Sequence, residues 1–141
     1  MSAHAGSCRC GLISAEMSAE PVMRSYCHCR DCRKQSGAPV MAFVGFREDA
    51  VTWHGEPKTW RAGGVIRSFC DYCGSQIGYR DEKLPGEVYM SLGFMEEPER
   101  YPPTLHAFEK RRLPFLIIDD HLPRYEGFSV ERVKPNDGHE T

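Results

Sequence analysis

A chain of 141 residues with 18 Lys+Arg, 20 Asp+Glu and a formal net charge of −2 predicts one domain around one core. Its 40% hydrophobic and 27% charged content excludes a disordered or membrane-spanning chain, and the slight acidic excess argues against non-specific nucleic-acid binding. The count of 7 Cys is odd and Met1–Ser7 shows no secretory leader, so the expected setting is a reducing cytoplasm with metal-binding thiols and not a disulfide framework.

Taken in chain order, short runs of strand-forming residues predict strands at Gly11–Met17, Pro21–Cys27, Val40–Phe46, Lys58–Trp60, Val65–Cys70, Ser75–Tyr79, Val88–Leu92 and Phe115–Ile118. Turn residues separate them at Gly55–Pro57, Gly63–Gly64, Pro85–Gly86 and Pro102–Pro103. Asp31–Ser36 predicts a short helix, with Asp31 as its cap and Gly37 as its stop. The longest apolar runs, Pro39–Phe46 and Phe115–Ile118, are strand-sized and too short to cross a bilayer. No repeat or linker divides the chain, and the polar Lys134–Thr141 reads as a frayed tail. The pattern is mostly β, with metal sites supporting the turns.

The thiols fall into three groups: Cys8 with Cys10; Cys27, Cys29 and Cys32; and Cys70 with Cys73. In Cys70-Asp71-Tyr72-Cys73-Gly74 a tight turn can aim both sulfurs at one ion, and Gly74 stands where such a knuckle needs positive φ. Cys8 and Cys10 share one side of an extended chain, so their sulfurs can also converge. Together the two pairs complete a closed four-thiolate zinc site. In the middle group Cys27 and Cys29 share a face and Cys32 curls back from the helix. Three thiolates leave zinc an open fourth position, the arrangement of catalytic zinc sites.

Other partitions stay open at this level. Cys27 and Cys32 can pair with either two-cysteine group, a His or Asp from elsewhere can close the three-sulfur site, and rubredoxin-type iron is a rival metal. His28 points away from its neighbours by alternation and reads as a core or supporting residue. Arg9, Arg30, Arg33 and Lys34 lie beside the thiols, where they can stabilise thiolates or attract an anionic substrate.

The motifs G-S-C-R-C-G at Gly6–Gly11, C-H-C-R-D-C-R-K-Q-S-G-A-P at Cys27–Pro39 and F-C-D-Y-C-G-S-Q-I at Phe69–Ile77 form an ordered set. Landmarks at Gly93–Pro98, Pro103–His106 and Asp120–Gly127 follow, the last with His121 in its second position. The set resembles the glutathione-dependent formaldehyde-activating enzyme family, which includes the centromere protein V domain. The resemblance implies a single-domain β-tent fold over residues 4–128, followed by a C-terminal tail over 129–141. It implies two zinc ions, a structural one on Cys8, Cys10, Cys70 and Cys73 and a second on Cys27, Cys29 and Cys32. Phe115 stands where the family often has Trp, a change that bears on a pocket wall.

The implied activity is that of a zinc-dependent carbon–sulfur lyase. Its partners would be a small thiol such as glutathione and an aldehyde, joined as an adduct such as S-hydroxymethylglutathione. A zinc already holding three thiolates is a poor Lewis acid, which predicts a labile second ion. His106, His28 and Tyr79 are candidates for proton transfer. The alternative is a non-catalytic zinc module for a protein or nucleic-acid partner, with Arg30–Lys34 and Lys110–Arg112 as its only basic support.

Overall fold

Ten strands and one α-helix alternate with 3-10 turns along residues 3–133, the part of the chain that this computed structural model describes. Strands β1 (His4–Ser7), β2 (Ser14–Met17) and β5 (Val51–His54) form a small antiparallel sheet in the order β1-β2-β5. Strands β3 (Met23–Cys27), β4 (Met41–Arg47), β6 (Lys58–Ala62), β7 (Val65–Phe69), β8 (Gln76–Asp81), β9 (Glu87–Ser91) and β10 (His106–Ala107) form the large one. Its order is β10-β3-β4-β9-β8-β7-β6. The chain passes between the sheets three times, from β2 to β3, from β4 through the 3-10 turn Glu48–Ala50 to β5, and from β5 to β6.

Period-two alternation gives the large sheet two working faces. Val44 and Phe46 on β4 and Val88 and Met90 on β9 pack with Ala15 and Met17 of the small sheet, all of them buried. Each such side chain removed from water contributes about 1.5–3 kcal/mol, which makes this the main core. Phe43 and Tyr89, the alternate residues of the same strands, are buried on a second cluster with Cys27, Cys29 and Cys32. In β8 the register shifts: Ser68 pairs with Gly78 but Phe69 pairs with Gln76, leaving Ile77 as an extra residue. A bulge of this kind turns a side chain to the other face. Ile77 accordingly joins the main core while Tyr79 packs on the cysteine side.

The helix α1 spans Arg30–Ser36 and stops at Gly37, whose φ of 76° and ψ of 3° are left-handed. Its N-cap is Cys29, in place of the expected Asp31: the Cys29 side chain accepts from the Cys32 N–H at 3.2 Å. Three strands escaped sequence reading. β1 is a small-residue edge strand, β5 follows directly on an acidic turn, and β10 has two residues. The expected strand Phe115–Ile118 does not form. Arg112 donates to the Leu113 and Leu116 carbonyls (3.2 and 2.8 Å) and Arg124 to that of Ile118 (2.9 Å), so side chains take the acceptors a ladder would use. Phe115 and Ile117 are 77% and 80% exposed.

Beyond β10 the chain folds back along the large sheet. His106 N–H donates to Pro123, Tyr125 N–H to His106 and Phe108 N–H to Gly127, each at 2.9 Å. Of the residues expected as a tail, 129–133 return to the domain: Arg132 pairs with buried Asp81 at 2.7 Å, and Val133 N–H donates to Lys83 at 3.0 Å. Lys134–Thr141 lies outside the described residues. No helix among the described residues is long and apolar enough to cross a membrane.

Candidate metal centres

The cysteines, all free thiols, gather into two groups. Sulfurs of Cys8, Cys10, Cys70 and Cys73 lie within 4.8 Å of one another, as do those of Cys27, Cys29 and Cys32. The Cys8–Cys10, Cys10–Cys70 and Cys27–Cys32 sulfur separations are 3.6, 3.8 and 3.6 Å. A zinc tetrahedron with bonds of about 2.3 Å has edges of about 3.8 Å, so both groups fit such an ion. A disulfide needs about 2.05 Å, and none of these separations approaches it.

Two turns build the four-sulfur group. Cys8 follows β1 and anchors its turn by accepting Gly11 N–H at 3.0 Å on its carbonyl and Ile13 N–H at 3.3 Å on its sulfur. Cys10 therefore comes round on a turn and not on extended chain, the geometry expected from its spacing. Cys70 and Cys73 flank a knuckle closed by Gly74 N–H to Cys70 carbonyl at 2.8 Å, with Gly74 at φ 78°. Ser75 joins the two turns, accepting Arg9 N–H at 3.0 Å and lying 3.1 Å from the Cys73 sulfur. Its side-chain and backbone hydrogen bonds hold the Cys73 thiol down to about 5. Cys8 and Cys70 of this group lie in the main core, Cys73 packs against it and Cys10 is exposed.

The three-sulfur group is built differently. Cys27 ends β3, Cys29 caps α1 with extended φ −65° and ψ 152°, and Cys32 lies in the first turn. Hydrogen bonds from Cys27 and then Cys32 hold Cys29 down to about 3, while the same sharing raises Cys27 well above an ordinary thiol. Cys29 also stands at the N-terminus of α1 as its cap. Arg67 lies with both terminal nitrogens 3.9 Å from the Cys32 sulfur, and its guanidinium is 5.5 Å from the centre of the Tyr79 ring.

These sulfurs form the meeting point of two cavities. One, of about 290 Å³, runs between β3, β8, β9 and the returning C-terminal segment, with Tyr79, Tyr89, Phe108, Phe128, Leu84 and Val130 among its walls. The other, of about 740 Å³, is lined by Arg30, Lys34, Arg67 and Arg111 with Asp31 as its acidic member. Cys29, Val65, Arg67 and Phe108 line both.

Behind the cysteines lies a buried polar network. His28, directed away from Cys27 and Cys29, meets His106 at 2.9 Å, and His106 Nε2 meets Asp120 at 2.9 Å. Parallel pairing of β10 with β3 is what brings His106 beside this segment. Glu109 Oε2 sits 3.5 Å from His28 and 3.9 Å from His106, close enough that the three side chains could hold an ion. Arg112 and Arg124 bind the other Glu109 oxygen at 3.1 and 3.0 Å, and Arg124 also binds Asp120 at 2.9 Å. Two guanidiniums thus balance two carboxylates, and a divalent cation would add uncompensated charge. A neutral hydrogen-bonded support is the better account.

A family model of the glutathione-dependent formaldehyde-activating enzyme matches residues 3–111. The chain belongs to this family. The matched span holds all seven cysteines, Arg67 and His106. Among solved structures, the crystal structure of a Rhodobacter sphaeroides protein is similar, with 23% identity and a TM-score of 0.53, covering 65% of this chain and 87% of that one. That likeness concerns the fold alone. No curated protein matches the sequence.

Within this family fold, several sequence expectations change. Arg67 on β7, a cation the spacing did not point to, stands 3.9 Å from the Cys32 sulfur. Arg33 is committed to the His28 and Arg111 carbonyls, both at 2.6 Å. Arg30 and Lys34 line the basic cavity. His28 and His106 are fully buried and line neither cavity, whereas Tyr79 lines the smaller one. Phe115 lines neither, so its replacement of Trp touches no cavity wall. Glu109 and Asp120 were not singled out from sequence; the only signal was the place of Asp120 in the last motif.

Proposed function

We propose that the chain is a zinc-dependent carbon–sulfur lyase acting in the cytoplasm on the adduct of a small anionic thiol with an aldehyde, of which S-hydroxymethylglutathione is the simplest member. The observation that carries this reading is the contrast between two thiol groups: one with four sulfurs, enough to fill a tetrahedral ion, and lining neither cavity, the other with three sulfurs that line one cavity and, through Cys29, a second. In this reading Cys8, Cys10, Cys70 and Cys73 hold a structural zinc, and Cys27, Cys29 and Cys32 hold the second. Zinc on three thiolates supplies an open position that lowers the pKa of a bound thiol.

The surrounding residues supply the rest. Arg30, Lys34 and Arg111 attract the carboxylates of a peptide thiol into the basic cavity. Arg67 offsets the negative charge at the junction. Burial holds the Tyr79 phenol well above its ordinary value, so it donates a hydrogen bond to the carbonyl oxygen and does not act as a base. In the addition direction a sulfur–carbon bond forms, the carbonyl π pair moves to oxygen, and the proton lost by the thiol ends on that oxygen. The lyase direction reverses each change, and no electron acceptor is needed.

The test is NMR exchange spectroscopy of glutathione, formaldehyde and their adduct with the zinc-loaded protein. Exchange should exceed the uncatalysed rate and return to it in Cys29→Ser. A zinc-loaded protein that leaves exchange at the uncatalysed rate sinks the reading.

A further inference from the structure

The smaller cavity is too large and too apolar for a one-carbon aldehyde. Formaldehyde has two heavy atoms, and a water molecule in the liquid occupies about 30 Å³. The cavity offers about 290 Å³, at the lower edge of sites that take small organic ligands, roughly 300–1,000 Å³. For comparison, an apolar cavity of about 150 Å³ accepts benzene.

Its walls are aromatic in arrangement as well as composition. Tyr79 stacks on Tyr89 with centroids 5.0 Å apart, and Phe108 meets Phe128 edge-on at 4.8 Å. Rings placed this way present both faces and edges to a guest ring. The acidic groups that reach the cavity are already engaged: Asp81 with Arg132 at 2.7 Å, and Glu87 with the Tyr89 hydroxyl. The basic side chains that could draw an anion lie mostly in the other cavity. The larger cavity thus carries most of the basic side chains, while the smaller one carries the two aromatic pairs, with Arg24 and Arg67 as its basic members. Phe128, Ser129 and Val130, which form part of the wall, lie beyond both the family match over 3–111 and the last family motif.

Resting on the lyase reading above, we infer that the carbonyl partner carries an apolar group of about aromatic-ring size, seated in the cavity between Tyr79, Tyr89, Phe108 and Phe128. The thiol occupies the basic cavity, and the carbon joining the two sits at the cysteine junction. The bonds made and broken are those of the simpler adduct.

A binding measurement tests the pocket without turnover. Calorimetric titration of the zinc-loaded chain with S-benzylglutathione and S-methylglutathione should show the benzyl compound binding about tenfold more tightly or better, as burial of a ring requires. Val130→Trp, filling the cavity from its outer wall, should erase most of that preference. In a second arm, exchange with glutathione should be accelerated more for phenylacetaldehyde than for formaldehyde. Equal binding of the two thioethers, or formaldehyde exchange accelerated as much as that of phenylacetaldehyde, overturns the inference while leaving the lyase reading intact. A benzyl preference without acceleration for either aldehyde overturns the lyase reading, and the assignment of an aldehyde falls with it.

Discussion

Arg67 and Asp120 show how single residues act, one on the thiol group from outside it and the other on the buried network behind it. Arg67 places positive charge 3.9 Å from the Cys32 sulfur without joining the cluster. Replacing a group that supports a metal ligand in this way typically costs about 10–100-fold in metal affinity. Arg67→Met should therefore release one of two zinc ions faster to a colorimetric chelator, with the other unchanged. Asp120 is held below the ordinary carboxyl value of 3.8 first by its hydrogen bond with His106. A depressed carboxyl stabilises the fold above its unfolded pKa, and that stability is lost as pH falls through the folded value. Thermal stability should thus fall as pH drops below about 3.8, and the difference between wild type and Asp120→Asn should shrink in the same window. A difference that grows toward low pH would contradict this assignment.

At the scale of elements, α1 is a seven-residue helix whose cap and stop decide where Cys32 points. Intrinsic helix propensity cannot hold so short a segment in water. The Cys29 cap, the Ser36 hydroxyl bond to the Cys32 carbonyl at 2.7 Å and left-handed Gly37 do so instead. Gly37→Ala should cost about 1 kcal/mol through the left-handed backbone alone. That corresponds to a fall of about 2–4 °C in melting temperature for a chain of this size. The bulge in β8 acts at the same scale: one extra residue lets Ile77 serve the core and Tyr79 the cavity.

For the molecule as a whole, the two thiol groups have unequal structural weight. Cys8 leaves the small sheet and Cys70 leaves the large one, so the four-sulfur group ties the sheets together through the main core. Cys70→Ala should lower the stability of the whole domain, read as an early, broad thermal transition. Cys32→Ala should lose one zinc by elemental analysis while keeping the wild-type far-ultraviolet spectrum. Global unfolding of Cys32→Ala would show that the open group is structural.

Cysteine spacing was sufficient to suggest the four-plus-three partition, because ligands two or three residues apart converge through local backbone geometry whatever the rest of the chain does. The strands β2, β3, β4, β7, β8 and β9 were likewise visible as runs of strand formers, since their side chains meet both neighbours and core. The helix stop at Gly37 and the positive φ of Gly74 are also local and could be read directly. Arg67, Glu109, Asp120 and β10 could not, because their roles arise from contacts across long sequence separations, such as the 35 residues between Cys32 and Arg67. Phe115–Ile118 misled for the same reason: an apolar run becomes a strand only where an edge offers it partners, and here arginine side chains hold its carbonyls. The cavity is the extreme case. Its walls come from β3, β8, β9 and the returning segment at Phe128–Val130, and no local pattern encodes the space left between them. Ligand chemistry follows from covalent neighbours, whereas pocket size and lining follow from how distant surfaces pack.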